Sequence, residues 1–202
     1  QKEPAVSKDC GGMELHLCRC ATEVDFMINV PVMKGHCQTH ITCALKNMKG
    51  LLPNREKRRF HAEGLHRPIA HLALGVHQDF ILVDSICGDL SFEDGGNPTQ
   101  MDRLMAAVDP VLMDAYVCQL LGYEVEEVPY VTMAEELYVG SADLAHAKIR
   151  ELNAPIHPGG KADKDKVMKL AEIAQEVESC SACYGYLLPA LDMLDREGLL
   201  KD

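Results

Sequence analysis

No apolar run in this chain approaches the ~20 residues that a transmembrane helix needs. Basic residues are also scarce: 20 Lys and Arg stand against 31 Asp and Glu, a formal net charge of −11. Nucleic acids and anionic membranes are bound through a basic footprint, so neither is expected as a partner. The glycine-rich loop at 87–98 lacks GxGxxG and Walker spacing, so no nucleotide reading is made of it. The chain opens on Gln1 with no signal peptide and no initiating Met, and is expected to be a fragment of a longer protein. Without secretory context, its nine cysteines do not read as a disulfide framework. The expectation is a cytoplasmic protein with reduced thiols, Cys87 and Cys118 in the core and others metal-binding or redox-active.

What is present centres on residues 24–50. Residues 24–32 are apolar and β-branched and end in turn chemistry at Lys34-Gly35, as a buried strand does. From about Thr39 the pattern becomes helical. Ile41, Leu45, Met48 and Leu52 form an apolar stripe suited to packing on a sheet. His36, His40, Cys43 and Asn47 share the spacing of a second stripe. If the helix reaches back to His36, these groups stack on one face as soft ligands. Thr42, Lys46 and Lys49 make a third, basic face.

Elsewhere the reading is simpler. Met13, Leu15 and Leu17 alternate with Glu14, His16 and Cys18, the signature of a half-exposed strand. Arg55, Lys57, Arg58 and Arg59 read as a solvated helical face rather than a phosphate site. A helix is expected over 65–76 and a buried strand over 79–86. The following loop is acidic and glycine-rich, and Asp84, Asp89, Glu93 and Asp94 are candidate ligands for a hard divalent cation. A short third strand is expected at 103–108. Asp109-Pro110 then caps a helix over 111–121 that stops at Gly122, with Asp114 in its first turn. Another helix spans 130–139, and 148–152 is expected to return to the sheet. Residues 153–162 read as a linker. Residues 163–202 form a helical extension carrying Cys180-x-x-Cys183, which suits one corner of a metal site or a dithiol couple. A ferredoxin run, C-x2-C-x2-C-x3-C-P, is absent, so a cluster would need thiols from elsewhere, such as Cys10, Cys18, Cys20 or Cys37.

Several phrases resemble one family. They are Pro31-Val32-Met33-Lys34-Gly35-His36, Ala44-Leu45-Lys46-Asn47-Met48-Lys49-Gly50, Ile81-Leu82-Val83-Asp84-Ser85-Ile86, Gly95-Gly96-Asn97-Pro98 and Asp109-Pro110-Val111-Leu112-Met113-Asp114-Ala115. In this order they resemble the DUF362 family, domains of undetermined function, some of them fused to ferredoxin-like iron–sulfur modules. The resemblance covers roughly residues 24 to 150 and implies an earlier α/β portion that this chain lacks.

Strand–helix alternation predicts an α/β domain over 1–152, with a mainly parallel sheet flanked by helices and a helical C-terminal extension. Such sheets bind ligands at the carboxyl ends of their strands. That rule brings Lys34, His36, Asp84, Gly88, Asp89 and Asn97 towards one mouth. Lys34, His36 and Asp84 are the candidate catalytic groups. Gly88, Asp89, Asn97, Lys46 and Asn47 are candidate ligand-binding groups, and Cys180, Cys183, His36, His40 and Cys43 candidate metal ligands. Three functions are consistent with this. The first is a redox protein linked to an iron–sulfur cluster or divalent metal, with a redox partner. The second is an enzyme acting on a small anionic ligand, and the third a binding or scaffold domain. Shared cysteine ligands make a homodimer a state to test.

Overall fold

The computed structural model describes residues 4–93, 96–154, 159–174, 177 and 181–200. β1 (Ala5–Asp9) and β2 (Glu14–Cys18) form an antiparallel hairpin. The alternation read from the sequence is what seats Leu15 and Leu17 fully in the core. Gly75 lies beneath this hairpin, where an added Cβ would come within 2.5 Å of Cys10 Sγ.

The apolar run at 24–32 contributes only β3 (Ile28–Asn29), paired parallel to β6 (Phe80–Asp89), and one further bridge from Val32 to Asp84. Pro31 has no N–H to give to a ladder, so the segment pairs as a broken strand. Between β3 and β6 lie a hairpin of β4 (Lys34–His36) and β5 (His40–Thr42), then α1 (Ala44–Asn47), α2 (Asn54–Glu63) and α3 (His66–Gly75). The expected helix therefore does not reach back to Thr39. His40 sits at φ 62°, a left-handed conformation that a helix cannot contain, and His36 pairs with it across the hairpin.

β6 continues through Gly88 and Asp89 and turns back into β7 (Pro98–Ala107), a long antiparallel partner with a bulge between Ser85 and Cys87. The expectation of a mainly parallel sheet is corrected: the fold is mixed α/β, with small and largely antiparallel sheets. The reason is local. Parallel strands need a crossover, whereas β6 is joined directly to its antiparallel partner by the loop 90–97. Burial along β6 alternates, so its apolar run covers one face rather than two. The opposite face is bare, with Ile28, Val30, Val32, Ile86, Leu104 and Val108 all exposed.

α4 (Pro110–Leu121) follows its sequence signals closely: Asp109 Oδ1 accepts from the N–H groups of Val111 (2.8 Å) and Leu112 (3.0 Å), and Gly122 ends the helix at φ 85°. α5 (Pro129–Glu136) packs on α3 and α4. Residues 148–152 form no strand, and Ile149 and Leu152 are exposed. α6 (Lys164–Ile173) and α7 (Ser181–Arg196) share a small core with the β6–β7 loop, built from Phe92, Val167, Leu170 and Leu188. Buried Asp192 accepts from Asn97 Nδ2 (3.1 Å) and pairs with Lys166 and Arg196, tying the loop to both helices.

Candidate functional site

The site grows from a helix start that has no cap of its own. Cys43 supplies no side-chain acceptor at the N-cap of α1. Asp114 on α4 takes that role from across the core, with Oδ1 accepting from Ala44 N (2.7 Å) and Oδ2 from Leu45 N (3.2 Å). A carboxylate is favoured at a helix N-terminus by both the free N–H groups and the macrodipole. Asp114 is fully buried, and burial pushes its carboxyl up to about 7, although both backbone N–H groups pull it down. The amide chain Asn47–Asn29–Gln78 holds the other side of α1, with Asn47 Nδ2 on Asn29 Oδ1 at 2.7 Å and Asn29 Nδ2 on Gln78 Oε1 at 2.6 Å.

Held in this way, α1 presents Lys46 and, one turn on, Lys49. The Lys46 side chain is 4% exposed, and its Nζ donates to Thr42 Oγ1 (3.0 Å) and Glu93 Oε1 (2.9 Å). His36 Nε2 lies 3.0 Å from Glu93 Oε2, and Lys34 Nζ lies 4.0 Å from Glu93 Oε1. Lys49 Nζ lies 3.1 Å from His61 Nε2 on α2. Three ammonium groups thus gather around one carboxylate that is itself 40% exposed.

The His36 tautomer follows from its neighbours. Nδ1 accepts from the backbone N–H of Gln38 and of Thr39, both at 3.1 Å, so the proton of the neutral ring is on Nε2 and is donated to Glu93. Burial, opposed by Glu93 and aided by Lys46, lowers the ring to about 4. Burial works to raise Glu93, but the hydrogen bond from His36 and the Lys46 charge overcome it and hold the carboxyl well below the usual range. Burial and the neighbouring Lys46 charge bring Lys49 down to about 8, and burial with the Lys49 and Lys46 charges lowers His61.

A pH prediction follows from His36. The folded ring binds fewer protons than the unfolded one between its ordinary 6.5 and about 4. Its contribution to stability is therefore complete above about 6.5 and is lost as pH falls towards about 4. Asp114, raised, acts in the opposite sense over an overlapping range, so the comparison must be made between variants. Urea unfolding at pH 7 and pH 4.5 is expected to show the wild type losing about 2 kcal/mol more than His36→Asn. Parallel profiles would refute this.

The sequence-derived set is partly assembled and partly dispersed. Lys34, His36 and Lys46 come together on Glu93. Asp84 does not join them: it lies between Val32 and Leu104 on the bare face of the sheet, and its Oδ1 accepts from Ile86 N. Asp89 is a loop organiser, accepting from the N–H groups of Ser91, Phe92, Gly96 and Asn97. Its oxygens are thereby engaged by backbone N–H groups, and Asp94 lies outside the described residues. Gly88 packs against Met33, whose carbonyl oxygen an added Cβ would approach to 2.8 Å. Asn47 serves the amide chain.

The proposed ligand stripe is also corrected. His36 turns to Glu93, His40 stacks on Tyr123 with ring centroids 5.0 Å apart, and Cys43 is fully buried beside Asp114. Among the described residues, no group of three or more His, Cys, Asp and Glu side chains gathers as metal ligands do. Cys10 and Cys118 are buried in the core, whereas Cys87, expected there, is exposed on the bulged strand. Cys183 is exposed on α7 and Cys180 lies outside the described residues. The described thiols do not form the four-thiolate set that an iron–sulfur cluster takes. Sequence reasoning assigned no role to His61, which carries no spacing signal. Lys49 was visible as a neighbour of Lys46 at i, i+3.

These features define a mixed α/β domain with a lysine-lined site closed by a carboxylate from a hairpin loop. The chain belongs to the DUF362 family: the family model, described as a domain of unknown function, matches residues 1–119. Over 133 residues the chain is 25% identical to a thylakoid-associated protein of Synechocystis sp., an alignment covering 61% of this chain and 40% of that protein. The chain thus spans about two fifths of the length of this curated relative. No solved structure matches the chain. Among the described residues, no helix is long and apolar enough to cross a membrane.

Proposed function

We propose that this domain binds, and as an enzyme acts on, a small anionic ligand at the Lys34–Lys46–Lys49 cluster, with Glu93 holding the place that the anion takes over. The observation that carries this reading is the burial of Lys46 against a single, partly exposed carboxylate, with two further ammonium groups beside it. Positive charge that is desolvated, as at buried Lys46, is costly unless an anion completes it, and the three lysines give the site a local attraction for an anion. Glu93 is on a loop rather than a regular element, which lets an external carboxylate or phosphate take over its contacts.

Titration of the chain with lactate and inorganic phosphate, followed by calorimetry, tests the proposal. Lys46→Met is expected to weaken binding at least about tenfold, the scale of one lost charge-assisted hydrogen bond. Glu93→Gln is expected to tighten it several-fold, because the competing carboxylate is gone. Binding that is unchanged in both variants would refute the reading.

The metal- or iron–sulfur-linked redox reading ranks below this one. It rests on the Cys180–Cys183 pair and on the family's ferredoxin fusions, while the described thiols are dispersed. We place the protein in the cytoplasm on the strength of its acidic charge and reduced-thiol reading.

A further inference from the structure

We propose that Lys49 is a nucleophilic amine that forms an imine with a small carbonyl compound bearing a carboxylate or phosphate, and that His61 relays the proton. This inference rests on the anion site above and assigns it a substrate class. Its basis is the 3.1 Å contact between Lys49 Nζ and His61 Nε2, next to the ammonium groups that would hold the anion. His61 comes from α2 and Lys49 from the turn after α1, so two separate elements converge to make the pair.

The surroundings suit the chemistry. An amine attacks a carbonyl only when unprotonated, and it is activated when desolvated beside another cation. Lys49 is half-buried, with Lys46 and Lys57 as neighbouring cations and Glu93 as the opposing charge. Lys46 shows no comparable arrangement, since its Nζ is committed to Thr42 and Glu93. Lys34 Nζ lies 4.0 Å from Glu93 Oε1, which suits it to holding an anion.

The steps balance without an oxidant. The Lys49 ammonium gives one proton to neutral His61 Nε2, and the NH2 group so formed attacks the carbonyl carbon. The new N–C bond forms as the C=O π pair moves onto oxygen, and the His61 imidazolium returns its proton to that oxygen. One of the two protons left on nitrogen then passes through His61 to the new hydroxyl, which departs as water as the nitrogen lone pair forms C=N, giving a protonated imine. The carbonyl oxygen and two of the three ammonium protons leave as that water, the third stays on the imine nitrogen, and no redox change occurs. His61 is thus asked for general acid–base work, a contribution of about 10²-fold or more.

The test uses the whole chain with pyruvate as the carboxylate probe and glycolaldehyde phosphate as the phosphate probe, each trapped with cyanoborohydride. Adduct sites are read by peptide mass spectrometry, while lactate and inorganic phosphate measure anion binding without a carbonyl. One adduct per chain on the Lys49 peptide is expected, from whichever probe bears the preferred anion. Lys49→Arg, which keeps a cation in the cluster, should lose the adduct, and its lactate and phosphate affinities are measured alongside so that lost trapping is told apart from lost anion binding. His61→Gln should slow trapping about a hundredfold and move its pH profile, with anion affinity held within about twofold. That split separates proton relay from mere support of the fold.

Adducts spread over exposed lysines, or persisting in Lys49→Arg, overturn the inference. Lysine-dependent binding of lactate or phosphate with no trapped adduct overturns the imine and leaves the anion site standing. If neither anion binds and neither probe labels Lys49, both readings fail together.

Discussion

Asp114→Ala is expected to cost about 4 kcal/mol of stability and to lower Tm by about 10 °C, the largest effect of any single substitution away from the aromatic and aliphatic core. Asp114 is the cap of a helix to which it does not belong: its carboxyl receives Ala44 N at 2.7 Å and Leu45 N at 3.2 Å, and both residues are fully buried. Alanine leaves two N–H groups with no acceptor and no water, each costing about 1–3 kcal/mol. Asp114→Asn keeps one acceptor but turns an amide donor towards the other N–H, so an intermediate loss is expected. Because α1 carries Lys46, the alanine variant should also weaken anion binding in the fraction that remains folded. Denaturant unfolding with calorimetry checks both. A loss within 1 kcal/mol would show that α1 needs no cap from α4.

Gly35→Ala is expected to be nearly as damaging, for a steric reason. A Cβ at Gly35 would come within 2.3 Å of the Leu90 carbonyl oxygen and 2.5 Å of the Leu90 and Ser91 carbonyl carbons. Those are backbone atoms, so the strand or the loop must move. Overpacking of this kind costs about 1–3 kcal/mol. The shifted segment is the stem of the loop that bears Glu93. The variant should therefore lose the Glu93 contacts with His36 and Lys46, visible as a changed His36 Nε2 proton resonance and altered anion affinity. Gly50→Ala is the matched control: nothing lies within 4 Å of its would-be Cβ, and a change within about 0.5 kcal/mol is expected. Equal effects from the two substitutions would contradict the close packing of β4 beneath the loop.

Local chemistry made much of the fold legible. The β2 alternation and the Asp109-Pro110 start and Gly122 stop of α4 rest on interactions within a few residues of each other, and short-range patterns report them directly. The family was legible too, because its phrases sit on β4, α1, β6 and the start of α4. The β3–β6–β7 arrangement was misread because an apolar run signals burial without saying how many faces are covered. For Lys34, Lys46 and His36 the sequence supplied the chemical types. It could not supply their common partner, since Glu93 lies 47 positions from Lys46 along the chain.

The sequence by itself determined an α/β chain of acidic charge, its family, and a helical segment with a basic face after residue 39. Tertiary structure decided which of those groups meet. It sent His40 to Tyr123 and Cys43 to the core, set Asp84 on the bare sheet face, made Asp114 a cap in another element, and closed Lys46 and His36 on Glu93. The physical reason is range: propensity, capping and periodicity act over a few residues, whereas a site is defined by side chains converging from distant segments, whose positions depend on how every intervening element packs.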